Sequence, residues 1–122
     1  MPFIVQLSED NTYILVTVTG QVDTRTAMEF SFEAHRTARE KGLLLLLIDL
    51  SGSRNIQSEF ENYDMINRDL DGNPNIDRRV KVALLVAPED HSHDFTETVA
   101  RSDGYNVSLF RCREDAISFL KA

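Results

Sequence analysis

The sequence predicts an α/β domain: a mostly parallel sheet with an antiparallel N-terminal hairpin and helices packed on it, in the order ββαβαβαβα. Three observations predict it. Phe3 to Leu7 and Tyr13 to Thr19, both rich in β-branched and aromatic residues, flank the polar, turn-prone Ser8-Glu9-Asp10-Asn11. Leu43 to Leu50 is apolar at nearly every position until Asp49, as in a strand covered on both faces. After Asp23, helix-like and strand-like periods alternate, which implies parallel strands joined by crossover helices.

Taken in order, the first two stretches make the hairpin. From Asp23, Ala27, Phe30, Ala34 and Ala38 fall on one helical stripe with Glu29, Glu33, Arg36 and Glu40 opposite, and Gly42 can end this helix. The apolar strand from Leu43 follows, central in the sheet, and leads into a loop, Ser51-Gly52-Ser53-Arg54-Asn55. A second helix is expected from about Ser58 to Leu70 with Phe60, Tyr63, Ile66 and Leu70 inward, stopped by Asp71-Gly72-Asn73-Pro74-Asn75. Val80 to Ala87 reads as a strand ended by Pro88. A helix over roughly Ser92 to Ser102, a short strand from Asn106 to Arg111 and a last helix from Arg113 to Lys121 complete the chain. Glu114 and Asp115 suit the first turn of that helix, and Ala116, Ile117 and Leu120 form its inner side.

The length of 122 residues is that of one domain, residues 1–122. With 42% hydrophobic and 27% charged residues, five Gly and three Pro, the chain is neither fibrous nor disordered. Thirteen Lys and Arg against twenty Asp and Glu leave a net charge of -7, so nucleic acid is not an expected partner. The single cysteine, Cys112, cannot close an internal disulfide, and the expected home is a reducing, cytoplasmic one. The longest apolar run, Leu43 to Ile48, is far short of the roughly 20 residues of a membrane span, and no signal peptide is expected.

The central-strand order, the Val-rich second strand ending in Gly20, the strand closing on Ile48-Asp49-Leu50-Ser51, and the terminal Phe110-Arg111-Cys112-Arg113-Glu114-Asp115-Ala116-Ile117-Ser118-Phe119-Leu120 together resemble the STAS domain group. The closer similarity is to its SpoIIAA-like branch, which also groups with SEC14-type lipid-binding folds. In anti-sigma factor antagonists of this group, the loop after the central strand reads Asp, apolar, Ser, and further on Asp-Ser at a helix start, where the serine accepts a phosphate. Here Asp49-Leu50-Ser51 matches the first part. Gln57-Ser58 stands at the second, with Gln in place of Asp and Glu59 and Phe60 where a glycine is familiar. The resemblance thus implies a candidate phospho-acceptor at Ser58 and a regulatory, non-enzymatic role with a protein partner.

Ser58 also has a purely structural reading, because Ser58-Glu59-Phe60-Glu61 has the spacing of a capping box. Open α/β sheets place ligands at the C-terminal ends of their strands. There the loop carrying Asp49, Ser51, Ser53 and Gln57 can meet the loop carrying His91 and His93, which makes these six the candidate crevice. No Gly-rich phosphate cradle or nucleophile elbow accompanies them. Two histidines two residues apart, with no distant Cys or His completing a shell but His35, do not make a metal site, and a Ser51-His91-Asp49 hydrolase lacks its strand-turn-helix setting. No cofactor is called for. Cys112 reads as a small packing residue beside Arg113, and Arg78, Arg79 and Lys81 as a solvated basic edge or an anion patch. Met28 and Phe32 lie off the main stripe of the first helix, and Met65 off that of the second. They either finish the core or form a partner or homodimer surface.

The first expectation is therefore a STAS-like interaction module presenting its first two helices and residues 51–58 to a protein. The alternative is a small-molecule or lipid-binding domain with its pocket between the first helix and the sheet, as the SEC14 kinship implies.

Overall fold

The computed structural model describes residues 2–70 and 72–122, apart from the side chain of Asp69; Asp71, expected in the stop after the second helix, lies outside them. Alternating apolar residues pair β1 (Phe3–Leu7) antiparallel to β2 (Ile14–Val22), with Phe3 opposite Val18. The turn between them is built on Ser8, whose hydroxyl accepts from the amides of Thr12 and Tyr13 at 3.1 Å. β2 then pairs in parallel with β3 (Leu45–Asn55), β3 with β4 (Lys81–Leu85) and β4 with β5 (Asn106–Phe110), so the five strands lie in sequence order. β3 is central, as its apolar run requires.

Helix α1 (Thr24–Lys41) starts at Asp23, whose carboxylate accepts from the Thr26 amide at 2.8 Å, and ends where Gly42 takes up the left-handed conformation, φ 69°. Its buried stripe is Ala27, Phe30, Ala34 and Ala38, joined by His35. Helix α2 (Glu59–Asp64) passes directly into a π-helical segment (Met65–Leu70). α3 (Asp94–Ser102) and α4 (Arg113–Lys121) follow. Phe3, Val16, Ile48 and Leu84 form one core with Phe30 of α1, Met65 and Ile66 of the π-helical segment and Val99 of α3. Leu47, Ala83 and Leu85 form a smaller core on the other face with Ala116 and Leu120 of α4.

Two expectations need correction. Residues 51–55 are not a loop: they continue β3, because β2 is longer than its apolar stretch and supplies pairing partners from Thr19 to Val22. Phe60 and Tyr63 do not face inward. They are 73% and 55% exposed, and the buried stripe of this stretch is Asn62, Met65 and Ile66. Met65 thus belongs to the core, as does half-buried Met28, which packs against it.

Candidate functional site

The geometry of the candidate site turns on one irregularity in β3. Thr17 pairs with Asp49 and Thr19 with Gly52, so β3 carries one residue more than β2 across this step. Such a bulge reverses the side-chain alternation beyond it. Asp49 and Ser51 consequently stay on the α4 face, whereas Ser53 and Asn55 join Val22 on the α1 face. The six crevice residues are thereby divided. Asp49 accepts from the Ser51 hydroxyl at 2.6 Å and amide at 3.0 Å, and its other oxygen accepts from Arg113 at 2.8 Å, which ties the start of α4 to the bulge. His91 is exposed on its loop, with Nδ1 2.8 Å from Asp94 Oδ2 and 3.1 Å from the Arg111 guanidinium. Ser53, Gln57 and buried His93 gather on the α1 face.

Around them lies a polar network that no motif announced. Asn62 Oδ1 accepts from Asn55 Nδ2 (3.1 Å), Gln57 Nε2 (3.1 Å) and the Thr96 hydroxyl (2.8 Å). Asn62 Nδ2 donates to the Ser58 carbonyl (3.1 Å), Asn55 Oδ1 accepts from the Gln57 amide (3.0 Å), and Gln57 Oε1 accepts from the Thr24 hydroxyl (2.8 Å). One buried amide thus joins β3, α2 and α3, and Gln57 extends the link to α1.

Beside this network a partly open pocket of about 110 Å³ lies between α1, the sheet, the π-helical segment and α3. Phe30, Ile48, Val82, Leu84, Met65 and Ile66 are among its walls, with Asn55, Gln57, Thr96 and His93 towards the strands' C-terminal ends. His35 and Asp77 line it towards their start. The His35 Nδ1 accepts from the Asp77 amide at 3.1 Å, and burial pushes the imidazole down to about 4, against opposition from Asp77. His35 is therefore neutral near pH 7 and carries its proton on Nε2.

Ser53, His93 and Asp90 look like a hydrolytic triad without its geometry. Both partners stand at the same ring nitrogen, Ser53 Oγ at 3.4 Å and Asp90 Oδ2 at 3.8 Å from Nε2. A relay needs the carboxylate at the opposite nitrogen. The Ser53 hydroxyl also donates to the Leu50 carbonyl at 2.8 Å. Burial lowers the His93 pKa although Asp90 and Asp94 raise it. Asp90 Oδ2 is buried without a hydrogen bond, since 3.8 Å is an ion-pair distance only. Among the described residues, no three His, Cys, Asp or Glu gather as a metal-ion set.

Ser58 caps α2 and both halves of the capping box are present: the Glu61 amide donates to Ser58 Oγ at 3.1 Å, and the Ser58 amide donates to Glu61 Oε1 at 2.9 Å. A phosphate here would meet the positive helix end but also the carboxylates of Glu59 and Glu61. Ser58→Ala is expected to lower stability by about 1 kcal/mol in urea titration, and Ser58→Asp to restore most of it. Ile56 (50% exposed), just before this cap, and Phe60 and Tyr63, after it, are exposed apolar side chains.

Phe32 is half-buried. Cys112 is exposed at the start of α4 and not a packing residue. The basic cluster is engaged: Arg79 pairs with Asp77 at 2.9 Å, and Arg78 and Lys81 lie over the Tyr105 and Phe119 rings at 4.2 and 4.5 Å. Among the described residues no helix is long and apolar enough to cross a membrane.

This arrangement, a five-stranded sheet with an antiparallel edge hairpin and a capped helix after the central strand, is a SpoIIAA-like fold. Among solved structures, the chain is similar to an anti-sigma factor antagonist from Mycobacterium paratuberculosis, with TM-score 0.62 and 14% identity over 98% of this chain and 93% of that one. It is also similar to an uncharacterised DUF3478-family protein with a SpoIIAA-like fold from Shewanella loihica, with TM-score 0.55 and 15% identity over 97% and 91% of the two chains. No protein-family model and no curated protein matches the sequence.

Proposed function

We propose that this chain is a non-enzymatic regulatory module that docks a protein partner on α2 and the residues leading into it. The observation that carries this reading is the outward placement of Phe60 and Tyr63 on α2, a helix whose buried residue is Asn62 and which runs on into buried Met65 and Ile66. Aromatic side chains contribute the largest area per residue when an interface covers them. Their surroundings define the partner. Glu59, Glu61 and Asp64 flank the aromatics, α2 contains no basic residue, and the whole chain carries -7. The complementary surface is apolar at its centre and rimmed by Lys and Arg. The anti-sigma factor antagonist among the fold's neighbours supports a regulatory reading of the same architecture.

The test is capture of a binding protein from host lysate, followed by titration of the purified pair. The double substitution Phe60→Ala, Tyr63→Ala removes exposed side chains and is expected to leave the unfolding midpoint nearly unchanged. It is expected to weaken binding about thirtyfold or more, the scale of an aromatic hot spot, while added salt weakens the wild-type pair. Undiminished binding by the double variant overturns the proposal. So does a result in which a second copy of this chain is all that occupies the surface.

A further inference from the structure

The two edges of the sheet are not alike. At β5 the Leu109 amide, turned away from β4, donates to Glu97 Oε2 of α3 at 2.6 Å, so a side chain already occupies that edge. At β1 the ladder to β2 is bracketed by the Thr19 amide on the Pro2 carbonyl (2.8 Å) and the Ser8 amide on the Tyr13 carbonyl (2.9 Å). Antiparallel ladders alternate, so Ile4 and Gln6 also bond towards β2, and the N–H and C=O groups of Phe3, Val5 and Leu7 point to the open side. Nothing in Phe3-Ile4-Val5-Gln6-Leu7 blunts that side: the strand has no charge, no Pro and no register shift against β2. Edge strands normally carry one of these devices, because bare ones recruit further strands.

We infer that β1 pairs antiparallel with β1 of a second copy, on a two-fold axis at Val5, and so joins two sheets into one. The register follows from the edge itself. With Val5 facing its own copy and Phe3 facing Leu7 of the second copy, each outward N–H meets an outward C=O and none is left over. The side chains agree: on the α1 face Val5 meets Val5 and Leu7, 37% exposed, meets Phe3, while on the other face Ile4, 61% exposed, meets Gln6. Charge selects the same place. A chain of net charge -7 repels its own copies wherever carboxylates face one another, and β1 is an uncharged stretch that matches itself, which is all an isologous contact requires. The axis stands perpendicular to the sheet, so α1 of both copies lies on one face, and its charges are already paired within the helix, Arg25 with Glu29 and Arg36 with Glu33 and Glu40. Five residues of strand are few beside the roughly 20–30 per side of a standard interface, so the dimer is weak, with a Kd on the order of 0.1 mM.

The experiment is amide hydrogen exchange, read by NMR on the intact chain at about 20 μM and about 1 mM. Exchange at Phe3, Val5 and Leu7 is expected to slow about fourfold at the higher concentration, whereas Ile4, Gln6 and Ser8, bonded to β2 at either concentration, are expected not to change. Ile4→Lys sets a charge on the exposed face of the edge, and Val5→Pro removes the N–H at the axis, which an edge strand tolerates when that N–H faces outward. Each is expected to abolish the concentration dependence, and Ile4→Lys decides if the proline variant does not fold. Exchange at Phe3, Val5 and Leu7 that is independent of concentration overturns the inference. So does a concentration dependence that survives Ile4→Lys, or one that Phe60→Ala, Tyr63→Ala removes, since either puts the contact elsewhere. The double variant leaves β1 untouched, so failure here and failure of docking on α2 are told apart.

Discussion

Asn62→Ala is expected to destabilise the chain by about 3 kcal/mol, more than any substitution on the exposed face of the same helix. The loss is not that of a single hydrogen bond. Alanine removes the acceptor on which Asn55 Nδ2, Gln57 Nε2 and the Thr96 hydroxyl converge, and the donor that serves the Ser58 carbonyl. Asn55 Nδ2 retains Thr96 Oγ1 at 3.1 Å and Gln57 Nε2 retains Asn55 Oδ1 at 3.2 Å, but the hydroxyl proton of Thr96 is left with no acceptor in a part-buried site. Losing these four hydrogen bonds together, with one donor stranded in a part-buried site, takes the expected cost above the roughly 1 kcal/mol of an ordinary hydrogen bond. Urea titration should show a lower midpoint with an unchanged slope. Hydrogen exchange should accelerate first in α2 and the π-helical segment, the elements the network anchors. An alanine variant within about 0.5 kcal/mol of wild type would mean that the network contributes no net stability.

Asn62 also shows where sequence reasoning reaches its limit. The strands and helices were legible because their periods are regular: the alternation of β1 and β2, the unbroken apolar run of β3, and the Ala27-Phe30-Ala34-Ala38 stripe of α1 all appear where expected. α2 was misread for a physical reason. Its inward stripe contains a polar residue, Asn62, and its outward side carries Phe60 and Tyr63, so hydrophobicity points the wrong way round. The π-helical segment compounds this, because its wider turn changes the phase between Asn62 and Leu70. A polar residue on an inward stripe is legible only once its partners are known, and those partners come from β3, the following loop and α3.

The crevice illustrates the same limit at the level of register. Of the six residues expected in the crevice, Ser53, Gln57 and His93 lie together at the C-terminal ends of the strands. Asp49 and Ser51 do not: they keep the α4 face, and the extra residue in β3 turns Ser53 and Asn55 to the α1 face. Nothing in Asp49-Leu50-Ser51-Gly52-Ser53 marks a bulge. It exists because β2 continues beyond Gly20 and offers Thr19 to Val22 as partners. His35, judged only as a distant histidine, could not be placed before the 76–80 segment was seen packed against it.

That placement makes His35 the origin of the second large effect, a fall in stability on mild acidification. Burial holds its folded pKa at about 4, against 6.5 for an unperturbed imidazole, with Asp77 acting to raise it and Arg39 to lower it. Between those values the unfolded chain binds a proton that the folded chain refuses, so stability rises with pH across this window. The contribution is fully present above pH 6.5 and is lost as pH falls towards 4, to a total of about 3 kcal/mol. His93 is shifted in the same direction, by burial acting against Asp90 and Asp94, and steepens the fall. Asp77, held at about 2 chiefly by the Arg79 side chain, acts in a lower window, its stabilisation disappearing as pH drops from 3.8 towards 2. The two windows separate in urea titrations at pH 7, 6, 5, 4, 3 and 2. His35→Gln is the informative variant, since its amide oxygen can still accept from the Asp77 N–H but cannot titrate. The variant is expected to lose about one proton from the slope between pH 6.5 and 4, or about 1.4 kcal/mol per pH unit, retaining only what His93 and the carboxylates contribute. An unchanged slope would place the proton uptake elsewhere. A reduced slope would confirm that α1 and the segment before β4 are held together by an imidazole that must remain neutral, because a protonated Nδ1 cannot accept from Asp77.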